Sequence, residues 1–166
     1  METCVRNLQE ENAAADTDAR QRTSELDGIE EAFSCKGRQA DIRQFSPLTL
    51  AYIGDAVYEV IIRTVVVERG NKAANLLHRS TVKYVNAAAQ AAVAMAIADM
   101  LTEEEAAVYR RGRNAKSNTS AKNASIEDYR KATGLEALVG YLYLSDRFDR
   151  ILELVKGGLD RAGYEL

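Results

Sequence analysis

Apolar positions recur at three- and four-residue steps through most of the chain after residue 45, and in no sustained way before it. In residues 50–60, LAYIGDAVYEV, and just beyond, Leu50, Ile53, Val57, Val60 and Ile61 make one helical stripe that predicts burial. Ser46-Pro47 is a strong start for this helix, with serine as N-cap and proline in the first position. It is predicted to reach about Glu68, with Gly70 as its terminator. A short helix is expected near residues 72–79. A longer one runs from Thr81 to about Met100, and its Val82, Val85, Ala89, Val93 and Ala96 form a narrow stripe suited to tight packing. Thr102-Glu103-Glu104-Glu105 is a capping box that opens a helix to about Arg110, closed by Gly112. Residues 114–122 read as a polar, basic loop. Ser125-Ile126-Glu127-Asp128 opens a helix to about Leu144, and a last helix over about residues 146–162 turns Phe148, Ile151, Leu152, Val155 and Leu159 inward. There is no strand pattern and no internal repeat. The expected fold class is all-α.

Composition agrees: one proline and ten glycines in 166 residues leave little punctuation for anything but helices. No apolar run reaches the roughly 18 residues of a membrane span, and the N-terminus lacks a basic-then-apolar signal pattern. The chain is therefore expected in the cytoplasm, with no membrane partner. Cys4 and Cys35 both precede the expected core and read as free thiols, not as a zinc site. Residues 1–44 read as an acidic, disordered extension, with a weakly supported helix within residues 24–33. Up to Ser46 the chain has ten acids against six bases. From Pro47 onward the charge is near-neutral but uneven: Arg110, Arg111, Arg113, Lys116 and Lys122 lie in one stretch without an acid.

Two residues stand out as chemistry. Gly54 inside a helix costs about 1 kcal/mol relative to alanine, so another backbone is expected to approach there, beside Asp55. In LEALVGYLYL, residues 135–144, Glu136 is the one charge in an apolar run that also carries a glycine, Gly140. Each acid is either a satisfied structural carboxylate or a metal ligand. If the two helices pack together, the carboxylates meet. Two hard oxygen donors with little nitrogen or sulfur nearby favour Mg²⁺, with Mn²⁺ the other candidate. The only histidine, His78, faces either RNA or plain solvent. There is no Glu-x-x-His, no phosphate-binding glycine loop and no dinucleotide motif. Arg110, Arg111, Arg113, Asn114, Lys116 and Ser117 suit contact with a phosphate backbone. Lys83, Asn86 and Gln90 form a second, weaker polar row on their helix.

Tyr52-Ile53-Gly54-Asp55-Ala56-Val57 resembles the signature helix of the ribonuclease III family, and Leu135-Glu136-Ala137-Leu138-Val139-Gly140 resembles its second catalytic segment. Leu77-His78-Arg79, Tyr84-Val85, residues 110–117 and Tyr129-Arg130 resemble the Mini-ribonuclease III subfamily, a bacterial form with a catalytic domain and no double-stranded RNA-binding domain. The resemblance covers about residues 45–155 and implies a ribonuclease III catalytic domain over residues 45–166. It further implies a homodimer whose signature helices meet near the two-fold axis, and double-stranded RNA as substrate. Asp55 and Glu136 would be its metal ligands and catalytic acids, with His78, Lys83 and the 110–117 set at the RNA. Maturation of 23S ribosomal RNA precursor ends is the activity associated with such proteins. Two acidic positions of the longer family members are Ala51 and Thr133 here. Water, Thr133 or Glu59 is then left to supply the missing oxygens. The reading from another class is a non-catalytic helical dimer that binds structured RNA, and a third is a plain helical interaction module.

Overall fold

The computed structural model describes residues 41–116 and 125–165, together with Ile29. The expected disordered extension and its weak helix, both cysteines, Ser117 and residues 118–122 of the expected loop lie outside the described residues, Ile29 and residues 41–44 excepted. After a 3-10 turn at Ile42–Gln44 come six helices: α1 Pro47–Glu68, α2 Ala74–Val85, α3 Ala87–Ala96, α4 Glu103–Arg113, α5 Ile126–Leu144 and α6 Phe148–Arg161. All belong to the compact unit Ala40–Leu166. Among the described residues there is no strand, and no helix is long and apolar enough to cross a membrane.

The ends of these helices are set by their side chains. Ser46 Oγ accepts from Thr49 N, and Pro47 occupies the first turn of α1. Gly70, at φ 145°, adopts a conformation closed to other residues just past the end of α1. Thr102 and Glu105 complete the capping box of α4. Ser125 caps α5 by accepting from Asp128 N.

α5 is the centre. Helices α1, α3, α4 and α6 all pack on it, and ten of its residues are buried, among them Leu135, Leu138 and Leu142. Each such leucine contributes about 1.5–3 kcal/mol relative to exposure. α1 contributes Leu50, Val57, Tyr58, Ile61, Ile62 and Val66 to the same core.

Several boundaries and facings differ from the sequence expectation. The break between the second and third helices falls at Asn86, not near Ser80. Asn86 Nδ2 donates to the carbonyls of Val82 and Lys83 at the end of α2, while its Oδ1 accepts from Ala89 N at the start of α3. One side chain thus ends one helix and caps the next. The polar row of Lys83, Asn86 and Gln90 does not exist, because these residues lie on two helices and Gln90 is buried. α4 runs through Gly112 to Arg113; this glycine packs closely on Gly134 and Ala137 of α5 and does not stop the helix. Val60, Val82 and Leu152 point outward, and Leu154 takes the inward place expected of Leu152.

Candidate functional site

α1 and α5 cross backbone against backbone. A Cβ added at Gly54 would collide with the Glu136 carbonyl oxygen and lie 2.6 Å from Gly140 N. One at Gly140 would collide with the Leu50 carbonyl. No side chain separates the helices here, so Asp55, next to Gly54, is brought against Glu136 across the crossing. Burial raises Glu136 first and the Asp55 charge second, pushing its pKa up to about 7. Burial likewise raises Asp55, the more exposed of the two, with the Glu59 charge adding to it.

Among the described residues neither acid has an ion-pair partner. The side chains the sequence offered in place of the missing acids each have a partner of their own. Thr133 Oγ1 donates 3.0 Å to the Tyr129 carbonyl of its own helix, and Glu59 is paired with Arg63 at 2.7 Å. The polar neighbour that sequence reading placed elsewhere is Gln90 of α3. It is 2 % exposed, and its side chain lies close enough to both carboxyls to lower the pKa of each. Its Nε2 is nevertheless buried without a well-formed hydrogen bond. No pattern in the sequence marks Gln90: the signal lies in α3 packing against α5, which only the fold brings about.

This donor set suits a hard divalent cation. Two carboxylates that repel each other in a half-buried site are relieved by positive charge, and a buried amide stands beside them. Among the described residues no three or more His, Cys, Asp or Glu gather into a metal cage. Were such a cation to bind here, Asp55 and Glu136 would offer two oxygen donors, and water or other oxygens would have to complete the shell, as Mg²⁺ commonly accepts.

The residues expected at RNA fall into two groups. Arg110, Arg111 and Arg113 are exposed on the last turn of α4, with exposed Asn114 and Lys116 just beyond. They are therefore held on a helix end and not in a free loop. Arg111 Nη1 donates to the Arg43 carbonyl at 3.2 Å, which steadies that end. His78 and Lys83 are exposed on a different helix, α2. Beside the α4 end a pocket of about 400 Å³ is lined by Arg113, Asn114, Glu127, Arg130 and Lys131, which adds Arg130 to the basic surface. On the outer side of α1, Tyr52 is 83 % and Val60 61 % exposed, near exposed Leu48 and Val67.

The profile of the ribonuclease III domain matches residues 48–147. The chain is similar to Mini-ribonuclease 3 of Clostridium tetani, 52 % identical over 117 residues, covering 70 % of this chain and 78 % of that one. It is also 49 % identical to Mini-ribonuclease 3 of Enterococcus faecalis over 125 residues, 74 % of this chain and 95 % of that one. A crystal structure of a protein from Fusobacterium nucleatum superposes with a TM-score of 0.64 at 32 % identity, covering 70 % of this chain and 93 % of that chain.

Proposed function

The chain belongs to the ribonuclease III family, and from that premise we propose that it is a divalent-metal-dependent endoribonuclease cutting double-stranded RNA, with Asp55 and Glu136 as metal ligands and catalytic acids. The observation that carries this reading is the crossing at Gly54 and Gly140, which holds two acids together with no cation of their own among the described residues. A bound Mg²⁺ or Mn²⁺ supplies charge neutralisation and an activated water for attack on a phosphodiester. Asp55 is the more exposed of the two acids and would be the ligand open to solvent. Glu136 must give up its proton to bind, which its closeness to neutral pKa permits.

Arg110, Arg111, Arg113, Asn114 and Lys116, with Ser117, hold the phosphate backbone, and His78 and Lys83 extend the contact from α2. Such contacts orient a duplex without reading its sequence, as suits a substrate chosen by shape. The catalytic domain occupies residues 45–166, with residues 1–44 as an N-terminal extension. The chain acts as a homodimer through the outer side of α1, where Tyr52, Val60, Leu48 and Val67 would otherwise leave apolar surface in water. Its substrate is a base-paired end of the 23S ribosomal RNA precursor, in the cytoplasm.

The missing acids at Ala51 and Thr133 favour one rival, a dimer that binds structured RNA without cutting it. Cleavage of a ribosomal precursor stem, with and without Mg²⁺, by wild type and Asp55→Asn separates the two. The enzyme loses cleavage in the variant and without metal, yet keeps RNA binding. Equal cleavage by the variant would overturn the proposal.

A further inference from the structure

Gln90 is the one buried side-chain amide among the described residues with a nitrogen lacking a hydrogen-bond partner. An amide in that state is costly, because its donor has given up water and gained no partner. Its place in the fold says what the donor is for. Gln90 sits in the first turns of α3, the helix that Asn86 starts and that packs against α5, and it lies beside the Asp55 and Glu136 carboxyls and no ion-pairing cation. Glutamine carries two N–H donors on one nitrogen, enough to serve one oxygen of each acid.

We infer that Gln90 is a positioning residue: its side-chain N–H groups hold the Asp55 and Glu136 carboxylates at the spacing a divalent cation needs, and its donor is completed when the site is charged. This rests on the reading of Asp55 and Glu136 as ligands. With no cation between the two acids, the amide nitrogen is buried beside them without a well-formed bond. A cation bound between the two carboxylates would fix their oxygens in one place, where the same donor could reach them. Groups that orient metal ligands from behind typically matter by 10- to 100-fold in metal affinity. Gln90 so placed does not touch RNA, and binding of the duplex does not depend on it.

The test is a titration of Mn²⁺ into the full chain without RNA, monitored by the electron paramagnetic resonance signal of free Mn²⁺, for wild type, Gln90→Met, Gln90→Asn and Asp55→Asn. Methionine keeps the length and fills the space without a donor, and asparagine keeps the amide but draws it back by one methylene. We expect Gln90→Met to bind Mn²⁺ about 10- to 100-fold more weakly, Gln90→Asn to fall between it and wild type, and Asp55→Asn to lose binding. Duplex binding in EDTA is expected to stay unchanged in both Gln90 variants. A Gln90→Met protein with altered melting but wild-type Mn²⁺ affinity would show a structural role only and overturn the inference, while loss in Asp55→Asn would leave the carboxylate site standing. If Gln90→Met does not fold, Gln90→Asn decides by the same criterion. Wild type and Asp55→Asn binding Mn²⁺ alike would remove both the site and the role of Gln90.

Discussion

The fold holds acids inside in two opposite ways. Glu105, at the start of α4, is fully buried, and burial alone would raise its pKa; the Arg150 hydrogen bonds, the Thr102 N–H and the charges of Arg150 and Arg147 overcome that and hold it below the usual range. Arg147 and Arg150 approach its oxygens at 2.9–3.1 Å, and Arg150 also donates to the Met100 carbonyl. Asp55 and Glu136 have no such partners, and both are raised. The first region is an acid whose charge is answered from within the chain, and its job is done once α4, α6 and the turn before α4 are tied together. The second is a pair whose charge is answered by no cation among the described residues. An acid pair left in that state at a close helix crossing fits the proposed role of holding a cation that comes from outside.

The sharpest way to break this contrast is to remove Glu105. Glu105→Ala leaves Arg147 and Arg150 facing a void, and is expected to cost about 3–5 kcal/mol of unfolding free energy; chemical denaturation measures it, and a cost under about 1 kcal/mol would mean the arginines are readily solvated. Metal addresses the other half. Mn²⁺ or Mg²⁺ at a hundred times its dissociation constant is expected to stabilise the wild type by about 2.7 kcal/mol, seen as a rise in melting temperature that Asp55→Asn lacks. The same rise in the variant would place the cation elsewhere.

The two regions also titrate in opposite senses. Glu136, at about 7 when folded and 4.5 when unfolded, holds a proton in the native state that the unfolded chain releases. Metal-free stability therefore falls as pH rises from about 4.5 to about 7. Glu105 is lowered, so its contribution is present above its ordinary 4.5 and is lost as pH falls through its lower folded value. Melting curves against pH should show both slopes: Glu136→Gln removes the neutral-side decline and Glu105→Gln the acid-side one. The reverse assignment of slopes would refute the comparison. The smallest effect on stability belongs to charges that face neither region. Replacing Arg111, Arg113 and Lys116 together by glutamine is expected to shift melting only slightly, through the lost exposed Arg111 bond to the Arg43 carbonyl, while lowering the salt slope of RNA binding by up to about three units. An unaltered slope would remove them from the RNA surface.

The crossing was legible from sequence because glycines beside acids in apolar helices carry a physical cost that only a close contact repays. So was α1, with both its cap and its terminator in the sequence. What was not legible depended on partners far along the chain. Asn86 reads as an ordinary exposed polar residue until its side chain is seen to join two helices. Gln90 reads as part of a solvent row until α3 is seen to turn it inward. Val60 and Leu152 match the spacing of a buried stripe, yet periodicity alone does not say which side of a wide apolar face meets α5 and which is left outside.

The contact at Gly54 and Gly140 also sets what this protein is free to change. Where helices meet through side chains, repacking the core shifts them by fractions of an ångström. Here main chain rests on main chain, so the distance between the two acid-bearing backbones is set by peptide geometry and hardly by the bulk of the leucines and valines below. Core substitutions can then alter thermal robustness while leaving the spacing of the two acids in place. Stability and site geometry become separable design variables, joined only through two residues that must remain glycine.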